Sequence, residues 1–208
     1  TVSFHCYGFH HSVGPILMTF NTLLSIALGI GLAASSGFRV FLPLFALSLS
    51  AYFHVWQLNE SWQWLGSTNA LIILGIASIV ESLSYLVPYI DHLLDTIAVP
   101  LAGLAGTAVM ASTTADLNPA VTWTLAIIAG GGAAAAIKGV NATARIASTA
   151  TTGGLANPIF SSVETFIAIA MSALSVFLPF LAVFITILLS IWLYRKYSRY
   201  QQRRAGAV

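Results

Sequence analysis

The sequence predicts an all-α fold, a polytopic bundle of about six transmembrane spans (five to seven), and three observations predict it. Hydrophobic residues fill 58% of the 208 positions and charged residues only 7%. Mean hydropathy is +0.88. Apolar runs of roughly span length recur along the chain, separated by short polar, proline or glycine breaks. A soluble domain is nearer 45–50% apolar and about 25% charged. A water-soluble fold of this length keeps too much surface to hide such a composition, so the bilayer is the expected solvent.

The spans follow in order. Residues 1–17, TVSFHCYGFHHSVGPIL, carry no helical period and read as a disordered or non-native N-terminal extension. The single transmembrane domain then covers 18–196, with a basic tail at 197–208. A first span from Met18 to Ala34 ends in Ser35-Ser36-Gly37. A second, from Val40 to Val55, follows after a break that holds Arg39. Trp56, Trp62 and Trp64 then place a loop at a membrane interface, where amphipathic aromatics collect.

The third span, Ala70 to Val87, carries Glu81. Pro88 and the polar segment YIDHLLDT separate it from a fourth, Ile97 to Ala111. The fifth, Ala120 to Val140, contains GGGAAAA, whose missing side-chain bulk allows a neighbouring backbone, or a second copy of the chain, to approach. From Ser161 to Lys196 the chain is almost wholly apolar. One straight helix of that length would reach about 50 Å against a core of about 30 Å, so Pro179 is expected to break it. FLPLFA at 41–46 and FLPFLA at 177–182 form a weak internal echo, of a kind that repeat-built, broken-helix transporters show.

Arg195, Lys196, Arg199, Arg203 and Arg204 crowd the C-terminal end beside the last span. With Tyr194, Tyr197 and Tyr200 at interface depth, they mark a cytoplasmic C-terminus that meets anionic lipid headgroups, rather than a nucleic-acid tail. The location this implies is multi-pass in a plasma membrane. The single cysteine, Cys6, rules out an intrachain disulfide and a cysteine-built metal cluster. No zinc-protease, serine-hydrolase or Walker pattern is present, so no cofactor and no catalytic residue is expected.

Charges inside apolar segments cost about 2.5–3.5 kcal/mol each at mid-bilayer and mark candidate sites. Lys138, Asn141 and Arg145, spaced i, i+3, i+7, share one helix face if the fifth helix continues that far. That face suits an anion or a carboxylate; the bland alternative puts both cations at the membrane edge. Glu81, flanked by apolar residues, calls for a cation, with Lys138, Arg145 or Arg39 as choices. Asp91, His92 and Asp95 form DHLLD, a weak candidate for a divalent cation or a proton relay and equally an exposed loop. Ser161 and Glu164 have capping-box spacing, and Asn118-Pro119 and Asn157-Pro158 read as helix-opening caps.

Taken together, GLAASSGFRVFLPLFAL, Glu81 followed by PYIDHLLD, Lys138 and Arg145 after a small-residue helix, and TTGGLANPIFSSVE resemble a bacterial membrane-protein family catalogued as domain of unknown function 4126. The resemblance runs from about residue 18 to 195. It implies a compact multi-helix membrane domain and no particular activity. The leading expectation is a small-solute or ion transporter or channel, with Glu81, Asp91 and Asp95 facing Lys138, Asn141 and Arg145 across a cavity. The alternatives are a non-transporting scaffold or accessory protein with the same charges as structural pairs, and an intramembrane lipid-acting enzyme with a metal at DHLLD.

Overall fold

In a computed structural model, residues 15–85, 88–114, 117–153 and 155–205 are described, and all of their regular structure is helical. The elements are α1 (Pro15–Ser36), α2 (Phe41–Tyr52), a 3-10 helix (Glu60–Gly66), α3 (Thr68–Ser84), α4 (Pro88–Thr113), α5 (Pro119–Leu125), a π turn (Ala126–Gly131), α6 (Gly132–Thr152), α7 (Asn157–Phe177) and α8 (Pro179–Ala205). α1 and α4 form the centre. α1 packs on α4, α7 and α8, while α4 also takes the π turn and α6. α3 lies at the edge, held mainly by α2.

Two helices, Pro119–Thr152 and Asn157–Phe177, are long and apolar enough to cross a membrane by length and composition, among the described residues. A third qualifies if the 3-10 helix and α3, bent by 67° at their junction, form one span. The stretches Phe20–Ser36, Phe41–Tyr52, Ile97–Thr113 and Pro179–Ile191 are apolar but shorter. The faces left outside the bundle are apolar and compatible with a lipid surround. Ile73, Ile76, Ile79 and Leu83 on α3, and Phe166 and Phe177 on α7, are all exposed.

Several sequence expectations change. YIDHLLDT is helical: it forms the first turns of α4, which starts at Pro88 because proline suits the first helical position, and the apolar part of that helix follows at Ile97–Thr113. The fifth helix runs on to Thr152, through polar residues that bury one face in the protein, and ends where Gly153 takes a left-handed φ of 64°. The expected break at Pro179 is present. α7 stops at Phe177, and the carbonyl of Val176 that the break leaves free accepts the Trp56 indole Nε1–H at 3.0 Å.

The small residues of the fifth helix are used inside the chain. A Cβ on Gly130 would lie 2.5 Å from the Gly106 carbonyl oxygen, and a Cβ on Gly106 would lie equally close to that of Gly130. Two backbones in such contact leave no space for a side chain on either helix. Gly130, Gly131 and Ala134 of GGGAAAA therefore receive α4, while Gly132 and Ala136 are exposed.

Candidate functional site

The site grows from the break between α1 and α2. Ser35 and Ser36 turn their hydroxyls onto carbonyls, Ser35 Oγ to Ala168 O at 2.9 Å and Ser36 Oγ to Leu32 O at 3.1 Å. Gly37 lies so close to Ile137 that a Cβ would stand 2.6 Å from that side chain. Residues 37–40 thus leave the helix inside the protein, where every freed backbone group needs a partner. The N–H groups of Gly37, Phe38 and Arg39 reach back to the carbonyls of Ala34 and Ser35, and charged and amide side chains supply others. The Gly37 carbonyl accepts from Asn141 Nδ2 and the Phe38 carbonyl from Lys138 Nζ, both at 3.4 Å. The N–H groups of Val40 and Phe41 donate to the two carboxylate oxygens of Glu81, at 2.7 and 2.9 Å.

Glu81 therefore caps α2 rather than forming its contact with a cation, as the sequence leads one to expect. The first N–H groups of a helix have no intrahelical acceptor and carry the positive end of its dipole, so a carboxylate suits them as well as an ammonium would.

Arg39, in the same break, is fully buried. Its Nε donates to Thr165 Oγ1 at 2.9 Å, and its Nη2 donates to Ser161 O and Oγ at 2.9 and 2.6 Å. Nη1 has no hydrogen-bond partner among the described residues, and no carboxylate oxygen lies within ion-pair distance of the guanidinium among them. Arg145 pairs with Glu164, Nη2 to Oε2 at 3.0 Å, across α6 and α7. Both are buried, as is Lys138, so Lys138 and Arg145 lie inside the protein. The three cations converge on one aromatic ring: Arg39 Cζ, Arg145 Cζ and Lys138 Nζ lie 4.3, 4.7 and 4.8 Å from the centroid of buried Tyr85. The negative face of such a ring attracts cations.

Ser161 and Glu164 are not a capping box. α7 begins a turn earlier, at Asn157, so both lie inside the helix and serve Arg39 and Arg145. Asn157 does not cap α7 either; its Nδ2 donates to Thr149 Oγ1 at 3.1 Å. Asn118 does cap α5, accepting from Ala120 N at 3.0 Å. The side chains of Asp91, His92 and Asp95 lie outside the described residues, and among those described no group of metal-binding side chains assembles. Tyr85 and Thr165 are site residues with no sequence signal of their own. Arg39 was visible only as a scarce charge in a break.

Two hollows flank this centre. One, about 200 Å³, lies between α3 and α4 and is lined by Glu81 and Tyr85 among apolar residues. The other, about 590 Å³, is an apolar groove over α2 between α3 and α7.

Helical throughout its described residues, with exposed apolar faces and a buried charged centre at a helix break, the protein falls in the class of membrane-compatible helical bundles. The family described as Domain of unknown function (DUF4126) matches residues 26–199, and the chain belongs to it. No curated protein and no solved structure matches the chain.

Proposed function

We propose that the protein is a multi-pass membrane protein of about six spans that moves a small anionic solute or ion through its charged centre. The observation that carries this reading is Arg39. A guanidinium wholly out of water, held by neutral oxygens and with one nitrogen unpartnered among the described residues, bears a large desolvation cost that an arriving anion would offset. Its position adds support, because solute sites in many transporters lie at discontinuous helices with unwound backbone. Lys138 and Arg145, the latter paired with Glu164, stand on the same Tyr85 ring and gather further cations beside Arg39. The basic end of α8, where Arg195 is exposed, would sit on the cytoplasmic face among anionic headgroups.

The test is flux in proteoliposomes with chloride, nitrate, formate and inorganic phosphate as probes. Wild type should pass at least one of them. Arg39→Gln and Lys138→Ala should each reduce that flux tenfold or more, the scale expected when one side of a buried charged interaction is removed. Equal flux in the variants would remove the assigned site.

A scaffold reading has its own observation. Glu81 and the Arg145–Glu164 pair satisfy backbone and charge within the chain, as structural polar groups do. It predicts no flux of any probe, together with loss of folding when these residues are changed.

A further inference from the structure

The groove over α2 touches the charged centre through one lining residue, Thr165. It runs the length of α2, roughly 18 Å at 1.5 Å per residue, with Phe45, Leu49, Ile79 and Ile169 on its walls and Thr165 near one end. Its other hydroxyls face inward in their bonding: Ser78 and Ser82 donate to carbonyls of their own helix, and Ser172 pairs with Ser35. Thr165 likewise donates to a carbonyl of its own helix, that of Ser161 at 2.9 Å, but its Oγ1 also accepts from Arg39 Nε, so this half-buried hydroxyl links the groove wall to a buried cation that no carboxylate contacts among the described residues. The rim residues Ile79, Leu83, Ile169 and Phe177 are exposed on the same apolar surface that faces lipid, so the groove opens sideways rather than toward an aqueous mouth.

The geometry points to a single-chain amphipathic carboxylate as the solute, entering from the bilayer with its acyl chain along α2 and its carboxylate on Arg39. The apolar walls match the chain and the buried guanidinium matches the head, which replaces Thr165 Oγ1 as acceptor when that side chain turns away. A neutral ester of the same chain keeps the first match and loses the second. This assignment rests on the reading of Arg39 as the anion-binding residue and adds the class of anion and its route.

The experiment uses the full chain in nanodiscs of zwitterionic lipid, titrated with a fluorescent long-chain polyene carboxylate and with its methyl ester. Wild type should bind the acid saturably and at least about tenfold tighter than the ester, the scale of a charge-assisted contact in a buried site. Ala173→Trp, which fills the groove from its exposed wall, should weaken both ligands tenfold or more. Arg39→Gln should bind acid and ester alike. Should Arg39→Gln fail to fold, the acid–ester comparison in wild type and Ala173→Trp still decide. Equal affinity for acid and ester in wild type, or unchanged binding in Ala173→Trp, would overturn the assignment. Flux of formate or chloride without amphiphile binding would leave the transport reading standing and remove this one. Selective acid binding without flux of any probe, the polyene acid included, would keep the site and remove transport.

Discussion

Glu81 on α3 accepts the backbone N–H of Val40 at 2.7 Å, tying an edge helix to the point where α2 begins. Its second oxygen takes the next N–H, that of Phe41, at 2.9 Å. Because α3 is held mainly by α2, this carboxylate fixes both the start of one helix and the seat of the other.

Glu81→Gln should therefore destabilise the protein by about 1–3 kcal/mol, since the amide keeps one acceptor and turns an NH2 toward the second N–H. Reversible unfolding in mixed micelles measures it. Glu81→Ala should cost more, because both N–H groups then lie buried without an acceptor. A neutral result for both would mean that α2 starts elsewhere.

The Arg145–Glu164 pair predicts strong coupling. Glu164→Leu leaves a buried guanidinium short of its contacting carboxylate and should cost about 3–5 kcal/mol. A double-mutant cycle with Arg145→Met should give an interaction energy above about 1 kcal/mol, as for residues in one charged network. Additive losses in that cycle would show that the two act separately.

The capping asparagines separate cleanly. Asn118→Ala removes an oxygen bonded to Ala120 N and should cost about 1 kcal/mol. Asn118→Asp, which keeps an acceptor at the helix N-terminus, should be near neutral. Asn157→Ala acts through its bond to Thr149 instead, so Asn157→Asp, which brings a charge to a buried position, should not rescue it. Thermal melting of the four variants measures both contrasts.

The helical class, the break at Pro179 and the i, i+3, i+7 face of Lys138, Asn141 and Arg145 were legible because they depend on local composition and on a fixed helical period. The pairings were not. Glu81 meets backbone 41 positions earlier, and Arg39 meets Ser161 122 positions later. Such partners are set by how helices pack, and backbone N–H groups have no letter in a sequence. The capping-box motif at Ser161–Glu164 misled for a related reason. Its spacing is also that of one helical turn, so the same two residues can face a neighbouring helix from inside α7.

The contact of α4 with the π turn yields the sharpest contrast in the protein. At Gly106 and Gly130 a Cβ would stand 2.5 Å from a carbonyl oxygen of the opposing backbone, which has no rotamer to escape into. Gly106→Ala and Gly130→Ala should each cost about 1–3 kcal/mol as overpacking strain. Gly139 is also helical, yet a Cβ there would meet nothing within 4 Å. Gly139→Ala should instead stabilise by up to about 1 kcal/mol, the difference in helix propensity between the two residues. The measurement is the unfolding midpoint of the three variants side by side. Losses at Gly106 and Gly130 with a gain at Gly139 would locate the close approach where the structure has it, whereas three gains would mean that α4 and the fifth helix do not touch there.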